Sequence, residues 1–104
     1  MQTIDVLVIL EIDGLEDSEK FEKFLKRKSF KAVQGEEFVY TSSSTTTLIT
    51  TKTYILQIFK EALEKAGFKD AKLVFLLNET PYPPYIYDKS TKEFEISEEN
   101  KEEK

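Results

Sequence analysis

The chain has 104 residues, the size of one domain. Its 39% hydrophobic residues, eight Phe and five Tyr among them, suffice for a core without disulfides or a structural metal. It contains no His and no Cys, which excludes the commonest catalytic base, thiol nucleophiles, the usual zinc ligand sets and any disulfide framework. The net charge is -5, but residues 93–104 carry -4 of it and residues 1–92 hold 14 acids against 13 bases, so the body predicts no general attraction to nucleic acid.

Val6 to Leu10 is too short an apolar run for a secretory leader and is flanked by Asp5 and Glu11. No stretch approaches the roughly 18 apolar residues of a membrane span, so a cytoplasmic protein without membrane contact is expected. Ile4 to Ile12, nearly continuous in branched apolar residues, reads as a central first strand covered on at least one face. Asp13-Gly14 ends it. A helix over 17–28 follows, with Asp17 or Ser18 as its cap and Phe21, Phe24 and Leu25 on its apolar side.

Two layouts fit residues 30–50. In one, a second strand runs to Tyr40, Ser42 to Ser44 turn, and Thr45 to Thr50 form a third strand, which suits the strand preference of threonine. In the other the hairpin turns at Gly35 and the third strand is Glu37 to Ser42. Thr50 or Thr51 then caps a second helix whose stripe is Tyr54, Ile55, Ile58, Phe59, Ala62, Leu63 and Ala66, closed by Gly67. Ala71 to Leu77 is the fourth strand. Beyond the breakers Pro81, Pro83 and Pro84, Ile86-Tyr87 and Phe94 to Ile96 flank a small hairpin. The sum is an α+β domain over residues 1–96, a ferredoxin-like βαββαβ two-layer sandwich with a C-terminal hairpin extension and a disordered acidic tail at 97–104.

Three groups of residues are candidates for function. Glu11 and Asp13, two apart on one strand, project to the same side and form a candidate pair for a hard cation such as magnesium. Lys26, Arg27 and Lys28 belong to a run of six cations between Lys20 and Lys31; they are either a phosphate-facing patch or the solvated face of an amphipathic helix. Tyr82, Tyr85 and Tyr87 interleave with the prolines as a stiff aromatic segment that either meets a partner or folds back over its own sheet. No residue is singled out as catalytic and no cofactor is expected.

Phe30-Lys31-Ala32-Val33-Gln34-Gly35-Glu36-Glu37-Phe38, set behind an apolar strand with Glu11 near its end, resembles a family phrase of the form aromatic-x-x-Val-Gln-x-Ser-Val-Phe. Val6 to Phe38 thereby resembles the opening of the small ferredoxin-like CRISPR adaptation nucleases (the second Cas protein) and their relatives, the virulence-associated protein D endoribonucleases. The chain departs from that pattern at Glu11, where the metal-binding Asp is expected, at Glu36, where Ser is expected, and in lacking arginines from Leu15 to Ser18. The resemblance implies the ferredoxin-like fold and a face-to-face homodimer. As an alternative to a non-catalytic, homodimeric protein-interaction module, it implies a magnesium-dependent endonuclease of RNA or DNA, using Glu11 and Asp13 with Lys26 to Lys28 on phosphate.

Overall fold

The computed structural model describes residues 3–96, so the expected tail at 97–104 lies outside the described residues. In chain order the elements are β1 (Ile4–Asp13), α1 (Ser18–Arg27), β2 (Lys31–Ala32), β3 (Val39–Ser44), α2 (Leu48–Ala66), β4 (Asp70–Leu77), β5 (Thr80–Pro81), β6 (Tyr85–Asp88) and β7 (Glu93–Ile96). The strands form one sheet in the order β2-β3-β1-β4-β6-β7, with β5 also pairing β4, and every pairing is antiparallel. It is a mixed α+β protein with two helices on an antiparallel sheet. The strand order extends past the four strands expected from the sequence. The terminal hairpin does not stand apart but continues the sheet along β4.

Strand alternation builds the core. Ile4, Val6, Val8 and Leu10 of β1 are buried, as are Ala71, Leu73, Phe75 and Leu77 of β4, and all face the helices. Helix α1 begins at Asp17, whose carboxylate accepts the Lys20 N–H at 3.0 Å, and buries Phe21, Phe24 and Leu25. It ends where Ser29 turns left-handed (φ 73°), with the Phe30 N–H bonded to the Leu25 carbonyl and the Ser29 N–H to that of Lys26. That cap sends the Phe30 ring into the core, edge-on to Phe59 at 4.9 Å.

The hairpin turns near Gly35 as in the second layout, but its third strand is Val39–Ser44 and not Glu37 to Ser42, and the Thr45 to Thr50 strand does not form. Gly35 (φ 86°) takes the third position of a turn closed by the Glu36 N–H on the Val33 carbonyl, and β3 then pairs β1 from Ile9↔Val39 to Ile4↔Ser44. Intrinsic strand preference loses because threonine also caps helices. Thr47 Oγ1 accepts the Thr50 N–H at 3.1 Å, so the cap of α2 lies three or four residues before the expected Thr50 or Thr51. Ile55, Ile58, Phe59, Ala62, Leu63 and Ala66 are buried as expected, whereas Tyr54 sits at the edge of the stripe, 45% exposed and stacked on Phe30.

Two tyrosines tie the sheet to the helices. Tyr40 of β3 donates to Glu22 of α1 at 2.6 Å, and Tyr87 of β6 donates to Glu64 of α2 at 2.8 Å. Burial, reinforced by the hydrogen bond to the carboxylate and its charge, pushes the Tyr40 phenol up and raises Tyr87 from 10.0 to about 12. The neutral phenols are thus favoured by the folded state. Their contribution is intact below pH 10, the ordinary value, and is lost as the pH climbs from there towards the folded-state values, because only the unfolded phenols ionise readily in that window. Chemical denaturation followed by circular dichroism should show stability falling above pH 10, with a shallower fall in Tyr40→Phe. Loss of this hydrogen bond to the Glu22 carboxylate should cost about 1.5–3 kcal/mol at neutral pH.

Gly67 closes α2 with φ 85° and ψ 132°, a conformation open essentially to glycine alone, and its carbonyl accepts the Glu16 N–H at 2.8 Å. A Cβ there would stand 2.7 Å from a Glu16 carboxylate oxygen. Gly67→Ala should lower stability by about 1–3 kcal/mol in a thermal melt; an unchanged midpoint would contradict this account of the α2 to β4 corner.

Candidate docking face of the sheet

Both helices lie on one side of the sheet, so among the described residues no layer stands above the odd-numbered side chains of β1 and their neighbours. That face carries Leu7 and Ile9 of β1, Val39 of β3, Val74 and Leu76 of β4, and Ile86 of β6, none of which belongs to the core cluster. The pairing register sets them in rows: Val39, Ile9 and Val74 lie side by side across three strands, and Leu7 beside Leu76 lies one row away. Ile9 is 37% exposed and Ile86 41%. An antiparallel sheet with one solvated face ordinarily alternates to polar residues there. Here the centre is apolar.

The rim is acidic. At one end of the strands Asp5 and Glu79 border a shallow depression with Leu7, Thr41 and Leu76. At the other end Glu11, Asp13 and Asp70 border a second depression with Lys72 and Ile86. Glu11 and Asp13 do share the open face as their spacing predicts, but their cross-strand neighbours are Lys72 and Asp70 respectively. Asp17, close by in sequence, is spent on capping α1. Among the described residues no group of three or more His, Cys, Asp or Glu side chains gathers as a metal cage.

The tyrosine segment folds back over its own sheet. Alternation along β6 points Tyr85 and Tyr87 to the helix side, 6% and 9% exposed, where Tyr85 stacks on Phe75 and Tyr87 meets the edges of Phe68 and Phe94. Tyr82 is half-buried and stacked on Phe75 at 5.1 Å. These three rings are therefore core and edge material, and Tyr85 and Tyr87 have no surface left for a partner. Their reading as a partner-binding strip is corrected by the two-residue period of the strand, which turns both rings inward.

Of Lys26, Arg27 and Lys28, the last two reach one ring and Lys26 does not, because successive helical residues diverge around the axis. Arg27 groups with Lys20, Lys23 and Lys65 around the buried Phe24, in the company of Asp17 and Glu19. Lys28 approaches the same ring at 5.5 Å. Lys26 is exposed and lies outside this group.

A further cleft of about 250 Å³ lies between β3, Phe30 and the first turns of α2, walled by Val6, Phe30, Tyr54 and Ile55 and by a set of hydroxyls. Ser44 bonds Thr51 at 2.7 Å and Thr46 at 3.0 Å, and Thr51 also donates to the Thr47 carbonyl, so these hydroxyls satisfy one another. The sequence carries a signal for the open face. Val6 to Leu10 and Leu73 to Leu77 are apolar at both parities, although only one parity can face two helices on a single side. No protein-family model, curated protein or solved structure matches this chain.

Proposed function

We propose that the chain is a non-catalytic protein-interaction module of ferredoxin-like design, with the open sheet face as its working surface. The ferredoxin-like part is supported by the run β2-β3-β1-β4 within the longer sheet and by α1 and α2 as the crossovers, while β5 to β7 depart from it. The observation that carries the reading is the apolar centre made by Leu7, Ile9, Val39, Val74 and Leu76 on the side no helix covers. Contiguous apolar surface rimmed by polar residues is characteristic of interaction sites, since leaving it in water forfeits hydrophobic free energy. A homodimer is one way of covering it.

The alternative, a magnesium-dependent endonuclease related to the CRISPR adaptation and virulence-associated protein D enzymes, draws on Glu11 and Asp13 at one end of the same face, with Lys26 to Lys28 on phosphate. The two readings part in one assay. Labelled RNA and DNA incubated with the protein, with and without magnesium, should remain intact; metal-dependent cleavage that disappears in Glu11→Ala would overturn the interaction reading. In parallel, Ile9→Ser with Val74→Ser should lower stability by about 1–2 kcal/mol while the protein stays folded, these being partly exposed strand positions. The same pair should abolish the binding of an apolar reporter dye to the native protein.

A further inference from the structure

We infer that the open sheet face receives a cationic partner: a protein surface that presents apolar side chains flanked by Lys or Arg. This rests on the reading of that face as a docking surface and names what docks. Charge is distributed unevenly over this face. Asp5 and Glu79 stand at one end of the apolar centre and Glu11, Asp13 and Asp70 at the other; among the described residues Lys72 is the one cation bordering either depression, with Lys31 at the β2 edge in the row of Thr41 and Leu7. With both ends acidic, turning a second copy about a two-fold axis lying in the plane of the sheet brings carboxylates over carboxylates in either orientation.

The chain's own cationic group does not fit the face any better. Lys20, Lys23, Arg27 and Lys65 surround Phe24, which is only 5% exposed, so that surface offers no apolar side chain to Leu7 or Ile9. It also lies on the helix layer, away from the acidic face. The molecule is therefore polarised between its two layers, and a cationic partner is drawn towards the sheet side on approach.

The turn from β4 to β5 adds a second observation. Asn78 and Glu79 both hold left-handed backbone conformations, φ 53° and 69°, in the two-residue geometry where glycine is strongly preferred at the second position. Asn78 also accepts the Asp5 N–H at 2.9 Å, fixing the turn to the end of β1. Glu79 thus holds a carboxylate at the rim against its own backbone preference, and local strain of this kind collects where a side chain is needed.

The test uses the full chain and two synthetic amphipathic helical peptides with the same leucine stripe, one flanked by lysines and the other by glutamates. Titration calorimetry and amide NMR shifts should show the lysine peptide binding across β1, β3, β4 and β6, with affinity falling as salt is raised. The glutamate peptide should not bind. Asp5→Asn, Glu11→Gln and Glu79→Gly combined should weaken the lysine peptide by about tenfold, and Glu79→Gly alone should weaken it without lowering the melting temperature. Equal binding of both peptides at this face, lysine-peptide shifts mapping elsewhere, or concentration-dependent self-association through the face in sedimentation would overturn the cationic assignment. Binding of neither peptide, with Ile9→Ser and Val74→Ser indistinguishable from the parent, would overturn the docking reading as well.

Discussion

Strand β1 is the member on which the rest of the molecule is assembled. It is paired on one side by β3 over six residues and on the other by β4 over eight, so every backbone polar group along most of its length is committed. Its even residues enter the core and its odd residues must then face away. Because both helices sit over the even side, Leu7 and Ile9 are left outside by geometry, whatever their hydrophobicity. A slip of one residue would bury Asp5, Glu11 and Asp13 instead, at a cost no fold of this size sustains.

Aromatic side chains fill the gap between sheet and helices in a chain without tryptophan. Phe21, Tyr40, Phe59 and Phe30 form a connected group under α1 and α2, with edge-on and tilted contacts between 4.9 and 6.4 Å. Phe75, Tyr85, Tyr87, Phe68 and Phe94 carry the packing across to the terminal hairpin. The phenols of Tyr40 and Tyr87 each find a carboxylate, one on each helix, so that the polar ends of these two rings are satisfied and the layers are fixed laterally. This is why a segment rich in tyrosine and proline serves the interior here.

Charge shows the same dependence on layering. Summed along residues 1–92 the chain is almost balanced, yet the balance is made of unlike surfaces: a cationic group around Phe24 on the helix side and carboxylates at both ends of the sheet face. A near-zero sum is therefore compatible with a strongly directional field, and it is the field at each face that a partner meets.

The sequence by itself determined the two helices, the apolar character of β1 and β4, the closing Gly67 and the absence of histidine and cysteine chemistry, and left the first helix's cap between Asp17 and Ser18. Each of these depends on neighbours within a turn or two, or on composition alone. It did not decide between the two layouts of residues 30–50, because threonine suits both a strand and a helix cap and only the pairing of β3 with β1 selects between them. Nor did it decide the side to which Tyr85, Tyr87 and Ile9 point. That follows from strand alternation only once it is known which face the helices cover, and a helix covers whichever face the crossover connections allow. The site was legible as residue types and illegible as a surface, since a face is defined by register between strands far apart in the chain.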